Sequence, residues 1–301
     1  MKKILISGFI LLILPLFSCS QTDKPSIIVP LGAPQIAQIY LQESLKYDVD
    51  IVNGPDALVA SFGSKSHDFI FAPTNLGAKL YNSEIEYVFI AAITFGNYYL
   101  ATVTEEDFTV ESLNGKEIIC FGMNATSDII LRYILDSFDI EATISYVDSL
   151  EMANATLILD NSNIILSAEP ALSLLKAKVL GIDTIDLQNE YKEITGEGSY
   201  PQSGVFAKKS LSDIEINTFL SNLEISIDKV NNQLTETALL GVKLEFGFTE
   251  ETLVSAIPNS NILYMSSQDA RTALENYFNI IMEMNPSLIG GSLPDDDFYY
   301  S

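Results

Sequence analysis

The sequence predicts an α/β protein of two lobes, each an open sheet flanked by helices. Three observations carry this. Short apolar runs alternate with helical stretches through short connections, which is the pattern of open α/β sheets. Tyr87 to Thr94 is a near-continuous apolar run, of the kind buried on both faces of a parallel sheet. Two interior stretches, Phe95–Tyr99 and Ser199–Gln202, divide the elements into two series and serve as crossovers; the second overlaps the densest interior turn signal, Gly196-Glu197-Gly198-Ser199-Tyr200-Pro201.

In the first series, Ser26 to Pro30 reads as a strand and Gln35 to Lys46 as a helix with apolar Ile36, Ile39, Tyr40 and Leu45. Asp48 to Val52 is the second strand. Pro55 to Phe62 follows as a helix with Pro in its first turn, where the missing N–H is not needed. Asp68 to Phe71 is a strand and Asn75 to Tyr81 a helix. The second series gives strands at Tyr99 to Val103 and Glu117 to Phe121, a helix at Thr126 to Phe138, and a strand at Thr143 to Val147. A helix at Ser149 to Leu159, a strand at Ile164 to Leu166, a helix at Pro170 to Lys178 and a strand at Asp183 to Leu187 complete it. Then come a strand at Gly204 to Ala207 and a long helical region from Ser212 to Leu244. Thr249 to Ala256 is a helix whose Glu250 and Glu251 suit its positive end, Asn261 to Met265 a strand, and Ser267 to Met284 an amphipathic helix.

The 301 residues are 48% hydrophobic, far too apolar for a disordered chain. Sixteen Lys and Arg against 40 Asp and Glu leave a net charge of −24, which repels phosphate backbones and argues against a nucleic-acid partner. One His and two Cys do not supply the ligands of the usual structural and catalytic zinc centres. No metal site and no cofactor are expected.

Met1-Lys2-Lys3 and the apolar run Ile4 to Phe17 have the form of an export signal. The run is shorter than the ~20 residues a spanning helix needs. It ends in Leu16-Phe17-Ser18-Cys19, which resembles the lipobox of bacterial lipoproteins, where cleavage precedes a lipid-carrying Cys. Phe17 departs from the small residue usual at that position, and a plain signal peptide fits the same apolar run. Cys120, in an apolar strand, is expected to be a packing residue.

Few residues suggest catalysis. His67 precedes a strand in a loop and is expected to be solvated; no G-x-S-x-G elbow accompanies it. The acidic runs Glu84/Glu86 and Glu105/Glu106/Asp107 read as solvated surface, and neither Gly115-Lys116 nor Gly122-Met123-Asn124 has phosphate-loop spacing. More informative are four turns where a strand ends and a helix begins: Gly32-Ala33-Pro34, Ala72-Pro73-Thr74-Asn75, Gly122 to Asp128, and Ser167-Ala168-Glu169-Pro170. Open sheets bind ligands at the carboxyl ends of their strands, where unpaired helix N–H groups point outward. Helix capping alone is the competing account of the Ser, Thr and Asn residues there.

Those turns also carry a resemblance. Val29 to Pro34, Phe71 to Tyr81, Phe95 to Leu100, Ser167 to Leu172, Ser199 to Gly204 and the tail Ile289 to Tyr300 resemble the bacterial ABC-transporter solute-binding lipoproteins of the taurine, alkanesulfonate, nitrate and thiamine-precursor group. The resemblance implies a type II periplasmic-binding-protein fold with ligand held between lobes, no catalysis, and delivery to a membrane permease with its ATPase. It divides the chain into a signal peptide at 1–18, a lipidated leader at 19–25, lobe I at 26–97 plus 202–301, and lobe II at 98–201. The expected ligand-contacting residues are Gly32, Ala33, Pro34, Thr74, Asn75, Asn97, Tyr98, Asn124, Thr126, Ser127, Glu169 and Tyr200, with Cys19 as the lipidation site. A monomer tethered outside the cytoplasm is expected.

Arg132 lies about two turns into the helix after Asn124 and is expected to point away from the cleft, and Arg271 lies in the C-terminal helix remote from every candidate turn, whereas Tyr98, Tyr99 and Tyr200 border the crossovers and Tyr133 falls in the same helix as Arg132. A neutral or cationic, heterocyclic solute is therefore favoured over a sulfonate. If the tyrosines are core packing, helix N-termini alone would hold an anion. An extracytoplasmic enzyme using a carboxylate pair, and a lipoprotein that binds a protein partner, are the rival functions.

Overall fold

The computed structural model describes residues 24–104 and 107–301. The signal segment, Cys19, Glu105 and Glu106 lie outside the described residues. Among the described residues, no helix is long and apolar enough to cross a membrane.

Eleven strands form two sheets among the described residues. The first contains β1 (Ser26–Pro30), β2 (Asp48–Val52), β3 (Phe69–Pro73), β4 (Tyr87–Thr94), β10 (Ser203–Lys208) and β11 (Ile262–Ser266), in the order β11-β4-β10-β3-β1-β2. The second contains β5 (Tyr98–Val103), β6 (Glu117–Phe121), β7 (Thr143–Val147), β8 (Ile164–Ala168) and β9 (Ile182–Asp186), in the order β7-β6-β8-β5-β9. The chain passes from first to second sheet through residues 95–97 and returns before β10.

Every residue of β4 is buried, as its apolar run predicts. Its direction is not as expected, however: both neighbours, β10 and β11, pair with it antiparallel. The chain returning from the second sheet enters between β3 and β4 in the opposite sense. A long apolar run reports cover on two faces; that is usual for parallel strands, but an antiparallel strand covered on both faces reads the same way. That cover comes from helices on both sides. Ile27, Val29, Phe69, Phe71 and Val205 pack with Ile216, Phe219 and Leu223 of α9 (Asp213–Asn232). The alternate residues Ile28, Ile70 and Phe206 pack with Leu58 and Phe62 of α3 (Asp56–Ser64) and with Leu274, Phe278 and Ile281 of α12 (Ser267–Met284). This is the period-two alternation of a strand.

Two expected helices are broken in the structure. Gln35 to Lys46 forms α1 (Ala33–Ala37) and α2 (Ile39–Glu43), because Gln38 leaves helical angles. Its side-chain amide donates to the Gln35 carbonyl at 3.1 Å, supplying locally what the interrupted ladder lacks. The long region after Ser212 is α9, closed by a capping box between Ser212 and Glu215, then α10 (Leu234–Lys243) beyond a break at Gln233. One helix was not anticipated. Leu187–Thr195 forms α8, with Asp186 accepting from the Gln188 N–H at its start and Gly196 left-handed at its end.

Candidate functional site

The turns at the carboxyl ends of β3 and β6 meet between the sheets. Thr74 opens α4 (Thr74–Tyr81), and its hydroxyl donates to the Pro201 carbonyl at 2.6 Å, fastening that helix start to the second crossover. Asn75, one residue on, points its side-chain oxygen at the second lobe. There it accepts from the Thr126 hydroxyl at 3.2 Å, and both residues are buried. Thr126 is the first residue of α5 (Thr126–Ser137). The structure thus brings together two residues from two of the predicted turns.

The other predicted residues divide by environment. Asn97 lies in the first crossover, where its N–H donates to Gln202 Oε1 at 3.1 Å, its Nδ2 to the Glu169 carbonyl at 3.0 Å, and its Oδ1 accepts from Gln202 Nε2 at 2.9 Å. It ties the two crossovers and the β8 turn into one hydrogen-bonded knot. Glu169 is buried, and its carboxylate accepts from the Ser173 N–H and hydroxyl, both at 3.0 Å, at the start of α7 (Ala171–Lys176). Burial holds its carboxyl above the ordinary carboxylate range, against the opposing pull of those two bonds. Ser127 donates to the Phe121 carbonyl at 2.9 Å. Ala33 and Pro34 pack in the first turn of α1, and Gly32 before them has φ 104°. Asn124 is exposed, in the left-handed region at φ 62°, and its N–H donates to Asp128 Oδ2 at 2.8 Å.

That carboxylate organises the lobe II rim. Asp128 is buried and also accepts from Arg132 Nε at 2.7 Å and from the Tyr146 hydroxyl at 2.6 Å. Arg132 is therefore committed to its own helix, and Arg271 is committed to Glu275 and Asp296 beside the C-terminal tail.

The tyrosines form a mostly buried chain of tilted and edge-to-face rings rather than an open wall. Tyr133, Tyr191, Tyr200 and Tyr277 follow one another at ring separations of 6.0, 5.0 and 5.6 Å. Tyr133 belongs to α5, Tyr191 to α8, Tyr200 to the stretch that leads into β10, and Tyr277 to α12. Tyr98 is buried beside this chain of rings. Tyr191 and Tyr277 escaped the sequence reading. Tyr277 falls on the buried stripe of an amphipathic helix, where it is indistinguishable from core, and Tyr191 lies in the unanticipated α8.

His67 is not solvated as expected. Its side chain is only 14% exposed, with Nδ1 at 2.8 Å from Ser61 Oγ and 2.9 Å from Ser66 Oγ, and Nε2 at 3.0 Å from Asp50. Ser61 is buried within α3 while Ser66 is exposed, and through His67 the two serines fasten the end of that helix to Asp50 of β2. Cys120 is fully buried, and its thiol is pushed up to about 12 by burial. A groove of about 860 Å³ borders the crossovers, lined by Phe95, Gln188, Ser199 and Asn261. It touches none of the four strand-end turns.

Solved structures share this fold. An ABC transporter structure from Parabacteroides distasonis superposes with a TM-score of 0.81 at 21% identity, covering 92% of this chain and 99% of that one. A Candida albicans gene product described as having the generic periplasmic-binding-protein fold gives a TM-score of 0.56 at 10% identity, covering 91% and 92%. The chain has the type II periplasmic-binding-protein fold. Within that fold, the alkanesulfonate-binding protein of Xanthomonas axonopodis pv. citri, bound to MOPS, superposes with a TM-score of 0.66 at 12% identity over 92% of this chain and 96% of that one. No protein-family model and no curated protein matches the sequence.

Proposed function

We propose that the protein is an extracytoplasmic solute-binding receptor of an ABC importer, which closes two lobes on one small organic solute and delivers it to a permease and its ATPase. The observation that carries this reading is the Asn75–Thr126 bond, which joins the strand-end turns of two sheets at the place where open sheets take ligands. Similarity in fold to an ABC transporter structure and to an alkanesulfonate-binding protein supports it. On this reading lobe I is 26–97 with 202–301 and lobe II is 98–201. Asn75, Thr126 and Tyr98 face the solute, Asn124 and Gly32 lie at the rims, and Asn97, Thr74, Glu169 and Ser127 hold the frame.

Removal of residues 1–18 and lipidation of Cys19 would tether the receptor to the membrane as a monomer. The solute is neutral or cationic, since both arginines are committed elsewhere and the chain is strongly acidic. It is bound and released unchanged. Mass spectrometry of the membrane fraction tests the anchor: an acylated Cys19 as first residue is expected, and a chain retaining Lys2 and Lys3 would overturn it. A thermal-shift screen of vitamins, sulfonates and amino acids tests the receptor, because ligand bound to the native state raises its melting temperature. Turnover of the compound that binds would favour an enzyme instead.

A further inference from the structure

Tyr200 and Tyr277 are fully buried; the Tyr200 phenol oxygen closes no hydrogen bond, and the Tyr277 phenol has only the Thr126 hydroxyl beside it, outside good hydrogen-bond geometry. A hydroxyl taken out of water without a partner loses its hydration and gains nothing, so folded chains rarely leave one so. Here two lie together, on rings 5.6 Å apart. Both are electrostatic neighbours of the Tyr98 phenol, and the Tyr277 hydroxyl lies beside Thr126, whose own proton goes to Asn75. Three separate elements therefore bring phenols to the seam between the lobes: the first residue of β5, the second crossover and α12. Gly96 makes room for one of them. A Cβ there would lie 2.6 Å from Tyr200 Cζ and 2.8 Å from its hydroxyl.

Burial holds all three phenols well above the ordinary tyrosine range, so each stays a neutral hydrogen-bond donor at physiological pH. An anion buried at this seam would need a cation beside it, and both arginines are held by carboxylates elsewhere. Phenol donors suit an uncharged acceptor.

We infer, resting on the receptor reading above, that Tyr98, Tyr200 and Tyr277 form the polar end of the solute site and select an uncharged solute bearing a carbonyl or ring-nitrogen acceptor. Opening of the lobes parts Asn75 from Thr126 and exposes the phenols; closure on the solute pairs them. A site of buried donors rejects compounds that cannot pair them far better than an apolar pocket rejects an added group.

The test compares the full chain with Tyr200→Phe, Tyr277→Phe and the double variant. Melting temperatures are measured alone and with nicotinamide, uracil and thymine as uncharged acceptors, and with taurine, MOPS and nitrate as sulfonate and anion probes. The inference expects a shift from at least one uncharged acceptor and from no sulfonate or anion. It expects the double variant to lose about tenfold or more in affinity for that acceptor. It also expects the free double variant to melt close to the parent, because the Tyr200 hydroxyl has no partner to lose and the Tyr277 hydroxyl only its poorly aligned contact with Thr126. A shift from a sulfonate or nitrate overturns the solute class and leaves the receptor standing. Unchanged acceptor affinity in the double variant, or a free variant melting several degrees lower, overturns the role of the phenols. No shift from any of the six probes overturns this inference and counts against the receptor itself.

Discussion

The hydroxyl of Thr126 donates to the side-chain oxygen of Asn75 at 3.2 Å, and these two buried residues belong to different sheets. Each stands at the start of a helix that follows a strand, so one bond fixes two helix starts against each other. Thr126→Ala removes the donor and leaves the Asn75 oxygen without it. Such a loss costs about 1 kcal/mol, all of it from the closed form if the lobes move about the crossovers. Small-angle scattering is expected to give a larger radius of gyration for Thr126→Ala than for the parent, with Thr126→Ser close to the parent. Identical radii for all three would show that the bond does not govern closure.

Asp128→Asn is expected to loosen the lobe II rim. The substitution removes the charge that Arg132, Tyr146 and the Asn124 N–H all approach. Breaking a fully buried ion pair costs about 3–5 kcal/mol, but Arg132 is 47% exposed, so about 1–3 kcal/mol is expected here. Urea denaturation measures it. A midpoint equal to the parent's would mean that Asp128 carries little of the rim.

Glu169 gives a signed pH dependence. Burial raises its carboxyl in the folded state, so at pH values between the unfolded and native pKa the native chain holds a proton that the unfolded chain has released. Stability from this group therefore falls as pH rises from the unfolded carboxylate value of about 4.3 through the raised native value, and the penalty is complete above it. Glu169→Gln cannot ionise. Its melting temperature relative to the parent is expected to be higher at pH 8 than at pH 4; a difference independent of pH would contradict the assignment.

Gly96→Ala is expected to damage the crossover. Gly96 has φ 58°, and the added Cβ would meet the Tyr200 ring and the Gln188 side chain at under 3 Å. Left-handed strain and overpacking together amount to about 2–4 kcal/mol. Thermal denaturation would register this, whereas Gly54→Ala, also at positive φ but with nothing within 4 Å, should suffer from strain alone.

The sequence made elements legible where one local signal dominated. Tyr87–Thr94, Asp48–Val52 and Ser267–Met284 have the same bounds in the structure as in the apolar pattern. What it could not carry was the partner of each element. The antiparallel entry of β10 beside β4 depends on the whole path through the second sheet. Asn75 and Thr126 each read as helix-start residues, and nothing local marks them as facing each other across 51 residues. Tyr200 looked like a wall residue because it stands beside turn signals, yet it is buried between Tyr191 and Tyr277. α8 was hidden because Leu187 continues the apolar run of β9 and masks the Asp186 cap.

Isothermal titration calorimetry of the protein, with the compound that most raises its melting temperature, tests the central claim most directly. Saturable heat at one molecule per chain is expected, with affinity about fivefold weaker in Thr126→Ala and the compound recovered chemically unchanged. Continuous heat with accumulation of a product, or saturable binding that Thr126→Ala and Asn75→Ala both leave intact, would contradict a receptor that closes on its solute at this seam.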